Sequence, residues 1–190
     1  MKSSINSFLI KGLWILLLVF VIRIVFDKSI DMLNITGYDV LGYASEAVFI
    51  TSIFLGIYER ILWRFIPVGS PPKIFGEYEG KIEYKYNGIE STKDAKIIIR
   101  QSLLTVNVKI VTNEVESSTI ISDLVKENGD YILYYTYITS PKSKYSQNNP
   151  VQYGTCRLLI NTDSEFRGTY WTNRKTIGDI YLRKICERVE

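Results

Sequence analysis

The 190-residue chain contains no histidine and only two cysteines, Cys156 and Cys186. Without imidazole there is no Ser-His-Asp or Cys-His relay and no His-ligated metal, and two thiols are too few for a Cys-rich zinc site. An excess of one charge is lacking as well: 23 Lys and Arg against 20 Asp and Glu leave a formal net charge of +3. No basic tract long enough to follow a polyanion stands out, which argues against DNA or RNA polymers as partners. These absences remove most hydrolase and metalloenzyme chemistry. The chain is read as a binding protein, not an enzyme, with no metal and no cofactor.

Apolar residues are plentiful, at 46%, but unevenly spread. Up to Pro67 they form long runs of Leu, Ile, Val and Phe; beyond it they alternate with polar residues, and most of the 14 tyrosines lie there. The segment 5–26, INSFLIKGLWILLLVFVIRIVF, has the length a helix needs to cross about 30 Å of hydrocarbon. Lys11 and Arg23 stand near its ends, where long stems can carry their charges to the headgroups. A cleaved signal peptide is the competing reading, against which stand the length of the run and the lack of a small-x-small cleavage site. A second span covers 38–58 and starts at Tyr38 or nearer Tyr43, with Tyr58, Trp63 and Phe65 as the aromatic belt at its far end. Its outlier is Glu46, which must either meet a partner helix or wet path beside Ser45, Thr51 and Ser52, or sit among the headgroups. Lys2, Arg60, Arg64 and Lys73 flank the pair of helices, whereas Asp27, Lys28, Asp31 and Asp39 lie between them. The positive-inside rule then places both termini in the cytoplasm.

Three of the five prolines fall within 67–72, in the run PVGSPPK, and stiffen a short connection. The division is therefore 1–66 as a two-helix transmembrane region, 67–74 as a Pro-rich linker and 75–190 as a cytoplasmic β domain. Period-two runs recur at 77–86, 94–100, 103–111, 118–125, 131–138, 153–160, 166–172 and 177–183, with Asn87-Gly88 and Asn128-Gly129 as hairpin turns. The break at 101–103 leaves open whether the second and third runs are one bent strand. About eight short strands with no helical period between them specify a small antiparallel barrel, which removes exposed edges and leaves room for side chains or one small ligand. The polar stretch 139–152 is long enough to cover a mouth of it.

Within GTYWTNRKTIG, one alternating set is Gly168, Tyr170, Thr172, Arg174, Thr176 and Gly178. Facing inward, it lines the barrel with hydrogen-bond donors and one guanidinium, which then needs an anionic partner. A planar guanidinium fork suits phosphate, and Tyr rings stack on bases. The alternative leaves Arg174 in the turn after the strand, facing water. On the first strand Ile82, Tyr84 and Tyr86, continued back to Tyr78, form the core face against Lys81, Glu83 and Lys85. Buried tyrosines often serve only as packing. The run 131–138 is apolar on both faces and has no orientation from pattern, and Cys156 reads as a small core residue.

Two amino-terminal helices, a Pro-containing linker and an eight-strand tail opening with Phe75, Gly76 and Tyr78 and closing with G-x-Y-x-T-x-R-x-T-x-G together resemble a known family. It is the SMODS-associated two-transmembrane, β-strand-rich effectors of bacterial CBASS antiphage defence. Phe75 stands where other members often carry Trp, a conservative departure. The resemblance spans nearly the whole chain. It implies a membrane-anchored, lipocalin-like eight-stranded barrel that binds a cyclic dinucleotide from a partner nucleotidyltransferase (CD-NTase), then forms homo-oligomers whose helices disrupt the bacterial inner membrane and kill the infected cell. The residues assigned to the ligand are Tyr78, Tyr153, Tyr170, Thr172, Arg174 and Thr176. Glu46 is assigned to the membrane and oligomerisation step. The competing function is a membrane-tethered carrier or sensor of a lipid or other apolar ligand, which an all-apolar interior would favour.

Overall fold

The computed structural model describes residues 2–26, 36–66, 71–86, 88–147, 149–161 and 164–186; expectations placed on Asp27, Lys28, Asp31, Pro67, Gly69 and Asn87 lie outside the described residues. The chain divides into two units, Met1–Val68 and Gly69–Glu190. The first is a helical hairpin, α1 (Lys2–Phe26) and α2 (Gly37–Arg60). Both helices are long and apolar enough to cross a bilayer, and their outward Leu, Ile, Val and Phe side chains are exposed, as befits association with a membrane. Asp39 closes a capping box: Thr36 Oγ1 accepts from the Asp39 amide while the Asp39 carboxylate accepts from the Thr36 amide. The carboxylate thus satisfies donors at the start of α2 that would otherwise have none.

Small residues let the helices approach. Gly12 of α1 lies against Leu55, where an added Cβ would come within 2.9 Å of its Cδ1, and Ala47 and Thr51 of α2 are buried. Side chains of this size allow the close backbone packing by which helices associate without a hydrophobic drive between them. Along the same contact Arg23 Nε donates to the Glu46 carboxylate, and the Arg23 guanidinium lies 5.3 Å from the Tyr43 ring centroid. Glu46 therefore meets the neighbouring helix of its own hairpin, and Arg23 pairs with it instead of reaching alone for the headgroups. Ser45 and Ser52 donate to the carbonyls of Leu41 and Val48 one turn back, which satisfies both hydroxyls within α2.

The second unit is a closed barrel of eight strands in sequence order, each antiparallel to its neighbours. They are β1 (Gly76–Tyr86), β2 (Ile89–Gln101), β3 (Val106–Val111), β4 (Val115–Glu127), β5 (Asp130–Pro141), β6 (Tyr153–Ile160), β7 (Glu165–Thr172) and β8 (Ile177–Cys186). The second and third runs are separate strands, because Ser102 and Thr105 close a turn through backbone and hydroxyl bonds. Asn128 at φ 50° and Gly129 at φ 100° form the β4–β5 turn, the two left-handed positions that such a hairpin requires. β5, apolar on both faces, turns Leu133, Tyr135 and Tyr137 into the core cluster.

One end of the barrel is packed solid. Tyr78 and Phe166 lie 5.0 Å apart between ring centroids, with Ile74, Ile99, Leu133 and Leu182 in the same buried cluster. Gln101 clamps the incoming chain there: its side chain accepts from the Ile74 amide at 2.8 Å and donates to the Pro72 carbonyl at 3.0 Å. Ile74, in the stretch read as linker, is thus a core residue of the barrel. The weakest seam joins β3 and β4, whose ladder runs only from Lys109↔Ser118 to Val111↔Glu116. Past a bulge at Thr119/Ile121, the Thr119 hydroxyl bridges the Val108 amide and carbonyl at 2.9 Å each, side chain replacing backbone.

Two expectations follow. Gly168→Ala drives a methyl into the Arg157 carbonyl and to within 2.9 Å of Leu158 Cα, so it should destabilise the barrel by about 1–3 kcal/mol, measured as a lower melting temperature. Arg23→Leu leaves the Glu46 charge uncompensated at a cost of about 2.5–3.5 kcal/mol on insertion scales; membrane-fraction yield should fall, and Arg23→Leu combined with Glu46→Leu should restore it.

Candidate functional site

At the opposite end of the barrel the core gives way to a cavity of about 250 Å³. It lies where β1–β2, β3–β4, β5–β6 and β7–β8 connect, away from the end held by Gln101. An eight-stranded barrel is normally just filled by its side chains, so space here must come from small ones. Glycines supply it. Gly154 sits opposite Tyr137 in the β5–β6 register, and a Cβ there would strike the Tyr137 ring. Gly178 sits opposite Tyr170 in the β7–β8 register, where a Cβ would lie 2.7 Å from Tyr170 Cε1. Each tyrosine therefore lies over a glycine along the wall instead of crossing the lumen.

The wall is amphipathic. Ile82, Ile110, Val115 and Ile180 give apolar contact; Tyr84, Tyr135, Tyr137 and Tyr170 give rings and hydroxyls; Thr112, Thr139, Thr172 and Thr176 give further hydroxyls; Lys93 and Arg174 give positive charge. Burial first, then the neighbouring Tyr170 and Cys156, push the Tyr137 phenol above its ordinary value. Burial does the same to Tyr170, with Tyr84, Cys156 and Asp179 adding to it. Burial takes the Cys156 thiol up to about 12, against the lowering effect of its bond with Tyr135. At neutral pH these groups are uncharged hydrogen-bonding partners, so the positive charge of the wall is not cancelled from within. Ser117 Oγ is buried in this lining with no hydrogen-bond partner among the described residues, a state proteins seldom tolerate unless water or ligand completes it.

The connection from β5 to β6 partly covers the mouth. The Lys142 amide donates to the Glu114 carbonyl at 2.9 Å, Lys142 Nζ to the Thr112 carbonyl at 3.2 Å, and Asn149 Nδ2 to Glu114 Oε2 at 2.8 Å. Asn149 and Gln152 then face the cavity. Lys93 completes the cluster through Glu114 Oε2 at 2.7 Å. For Lys93, burial acts to lower the pKa, but the Glu114 bond and the charges of Tyr84 and Glu114 outweigh it and leave it raised. The bond from Lys93 holds the Glu114 carboxyl below its ordinary range against burial.

Of the residues singled out by sequence, Tyr170, Thr172, Arg174 and Thr176 come together in one lining. Arg174 does lie in the β7–β8 turn, yet it lines the cavity. Tyr78 is at the solid end, fully buried, with its hydroxyl donating to the Ile74 carbonyl at 2.8 Å. Tyr153 points outward and is 53% exposed, since its phase opposes the inward Gly154, Cys156 and Leu158. Sequence reading passed over Lys93, Ser117, Asn149 and Gln152. Lys93 shares parity with the inward Ala95, Ile97 and Ile99, a signal lost because the expected run began at 94 whereas β2 begins at Ile89. Ser117 fell just before the expected start of β4, and the two loop residues carry no periodicity.

Comparison with known proteins agrees with this geometry. Residues 70–184, the barrel unit almost entire, match the family described as Cap15, cyclic dinucleotide receptor domain. The chain is also 34% identical over 188 residues to CD-NTase-associated protein 15 of Staphylococcus schleiferi, an alignment covering 97% of this chain and 100% of that protein. With a helical hairpin, an eight-stranded barrel and this match along nearly its whole length, the chain belongs to the Cap15 family of CBASS proteins.

Proposed function

We propose that the chain is a CBASS effector whose barrel cavity binds a cyclic dinucleotide made by a CD-NTase, and that binding drives copies to associate and their helical hairpins to disrupt the bacterial inner membrane, killing the infected cell. The observation that carries this reading is the shared wall of Tyr170, Thr172, Arg174 and Thr176 within one cavity. Arg offers a phosphate two parallel N–H bonds, tyrosine rings offer bases a stacking face, and the hydroxyls serve base edges and ribose. Cationic and hydroxyl groups in the lining favour an anionic, hydrogen-bonding ligand over a lipid, whose chains offer them no acceptor. At about 250 Å³ the cavity is somewhat below the roughly 300–1,000 Å³ of small-molecule sites, so a ligand with two bases fills it and reaches the mouth beside Asn149.

The membrane step rests on the hairpin. A single pair of helices whose backbones are satisfied internally encloses no path for ions, so several copies must combine. A ligand shifts such an equilibrium only through its preference for one state, and the ligand-bound barrel must therefore associate more strongly than the empty one. The flanking Arg60, Arg64 and Lys73 support, through the positive-inside rule, a cytoplasmic barrel with access to a nucleotide made there.

Calorimetry of the full-length chain in detergent with cyclic di-AMP, cyclic di-GMP, cyclic GMP-AMP and cyclic UMP-AMP tests the first part. Arg174→Ala should weaken binding by about 1.5–3 kcal/mol, the scale of a bond to a charged group, with the melting temperature retained. Tyr78→Phe should lower the melting temperature and leave affinity unchanged; the converse pattern would return Tyr78 to the ligand. For the second part, a bound cyclic dinucleotide should produce larger species and dye release from vesicles carrying the intact chain, and a cytoplasm-dependent reporter fused after Glu190 should be active. Leakage of equal extent from a chain lacking residues 1–66 would overturn the membrane mechanism.

A further inference from the structure

The ion pair at the cavity mouth is not an ordinary surface pair. Lys93 projects from β2 into the lining beside Tyr84, whose ring centroid lies 5.4 Å from Nζ. Glu114, its partner, stands on the β3–β4 turn and is not itself part of the lining. That turn is fixed locally: the Thr112 hydroxyl accepts from the amides of Glu114 at 3.3 Å and Val115 at 3.0 Å. The carboxylate is fixed further by Asn149, which donates to the same Oε2 as Lys93. Glu114 is thus a rigidly held anion behind a flexible ammonium that faces the cavity.

Charge counting explains why such an arrangement suits an empty site. Lys93 and Arg174 both line the cavity, and positive charge in a partly desolvated space is costly without a counter-ion. The second cation also has its own place on the wall. Lys93 is opposite Ile82 of β1, Ile82 is opposite Ile180 of β8, and the turn carrying Arg174 leads into β8. The two cations therefore come from opposite sides of β1, Lys93 from β2 and Arg174 from the turn into β8, with Tyr84 on the strand between them. An aromatic face flanked by two cations matches a base flanked by two phosphates.

We propose that Lys93 is a second phosphate-binding residue of the cavity and that Glu114 is its exchangeable counter-ion. In the empty barrel Lys93 donates to Glu114. In the filled barrel its ammonium, which has three donors on a four-carbon stem, turns to one ligand phosphate while Arg174 holds the other. Glu114 acts through Lys93: it holds the ammonium in the empty barrel and competes with the ligand for the same N–H groups. The site would then demand two phosphates and discriminate against mononucleotides, which satisfy only one cation. The proposal rests on the reading of the cavity as a cyclic dinucleotide site.

The competition makes the two partners respond in opposite directions, which a purely structural ion pair would not do. With the full-length chain in detergent, and whichever of cyclic di-AMP, cyclic di-GMP, cyclic GMP-AMP and cyclic UMP-AMP it binds, Lys93→Met should weaken binding about tenfold. It should also flatten the salt dependence, because one screened charge contact is gone. Lys93→Arg should retain most of the affinity. Glu114→Gln, which keeps the shape and the Asn149 contact, should tighten binding severalfold. AMP and GMP should gain on the cyclic ligands in the Lys93→Met chain. Melting without ligand checks that each variant folds, and the two conservative changes preserve the sign test if Lys93→Met does not fold. Weaker binding by Glu114→Gln would make the pair a structural brace and overturn the proposal, as would unchanged affinity in both Lys93→Met and Glu114→Gln. A folded wild-type chain that binds none of the four cyclic ligands would instead overturn the reading of the cavity, and the proposal with it.

Discussion

The barrel's cavity depends on glycine facing tyrosine across the strands. A small barrel has no spare volume, and closing eight strands around the bulky side chains of a β-rich sequence would leave a filled core. Gly154 beneath Tyr137 and Gly178 beneath Tyr170 let two large rings lie against the wall. At the other end Tyr78, Phe166, Ile74 and Leu133 are buried together in one cluster. One barrel is thus filled at the end where Pro72 to Ile74 enter and hollow at the end where the odd-to-even connections meet.

Electrostatics then divides the labour on that wall. Burial holds the phenols of Tyr135, Tyr137 and Tyr170 and the Cys156 thiol neutral, so they present hydrogen-bonding groups without charge. The cationic side chains of the wall are Arg174 and Lys93. Ser117 adds a buried hydroxyl still in need of a partner. The helical hairpin handles charge by a different rule. There Arg23 and Glu46 are neutralised by each other across a contact that small residues make close enough. Both units thus keep a cation beside a carboxylate, but only the barrel pair faces a space that an anionic ligand can enter.

What the sequence by itself determined is what local periodicity and composition carry. Two apolar runs of spanning length, the break in composition after Pro67, eight period-two segments and the shared parity of Tyr170, Thr172, Arg174 and Thr176 are all properties of neighbouring residues, and the helices and strands follow them. The family resemblance had the same basis, two short motifs and the order of helices, linker and strands along the chain. Only the tertiary structure decided which end of the barrel is hollow and which residues meet there. Tyr78 and Tyr170 look alike in sequence, each a tyrosine on the inward face, but a bulky Phe166 neighbours the first and Gly178 the second. Lys93 and Glu114, Ser117 and its cavity, Arg23 and Glu46 are likewise unreadable from their own segments. Their roles come from register and closure between strands or helices far apart in the chain, and no local pattern encodes which side chain will stand opposite.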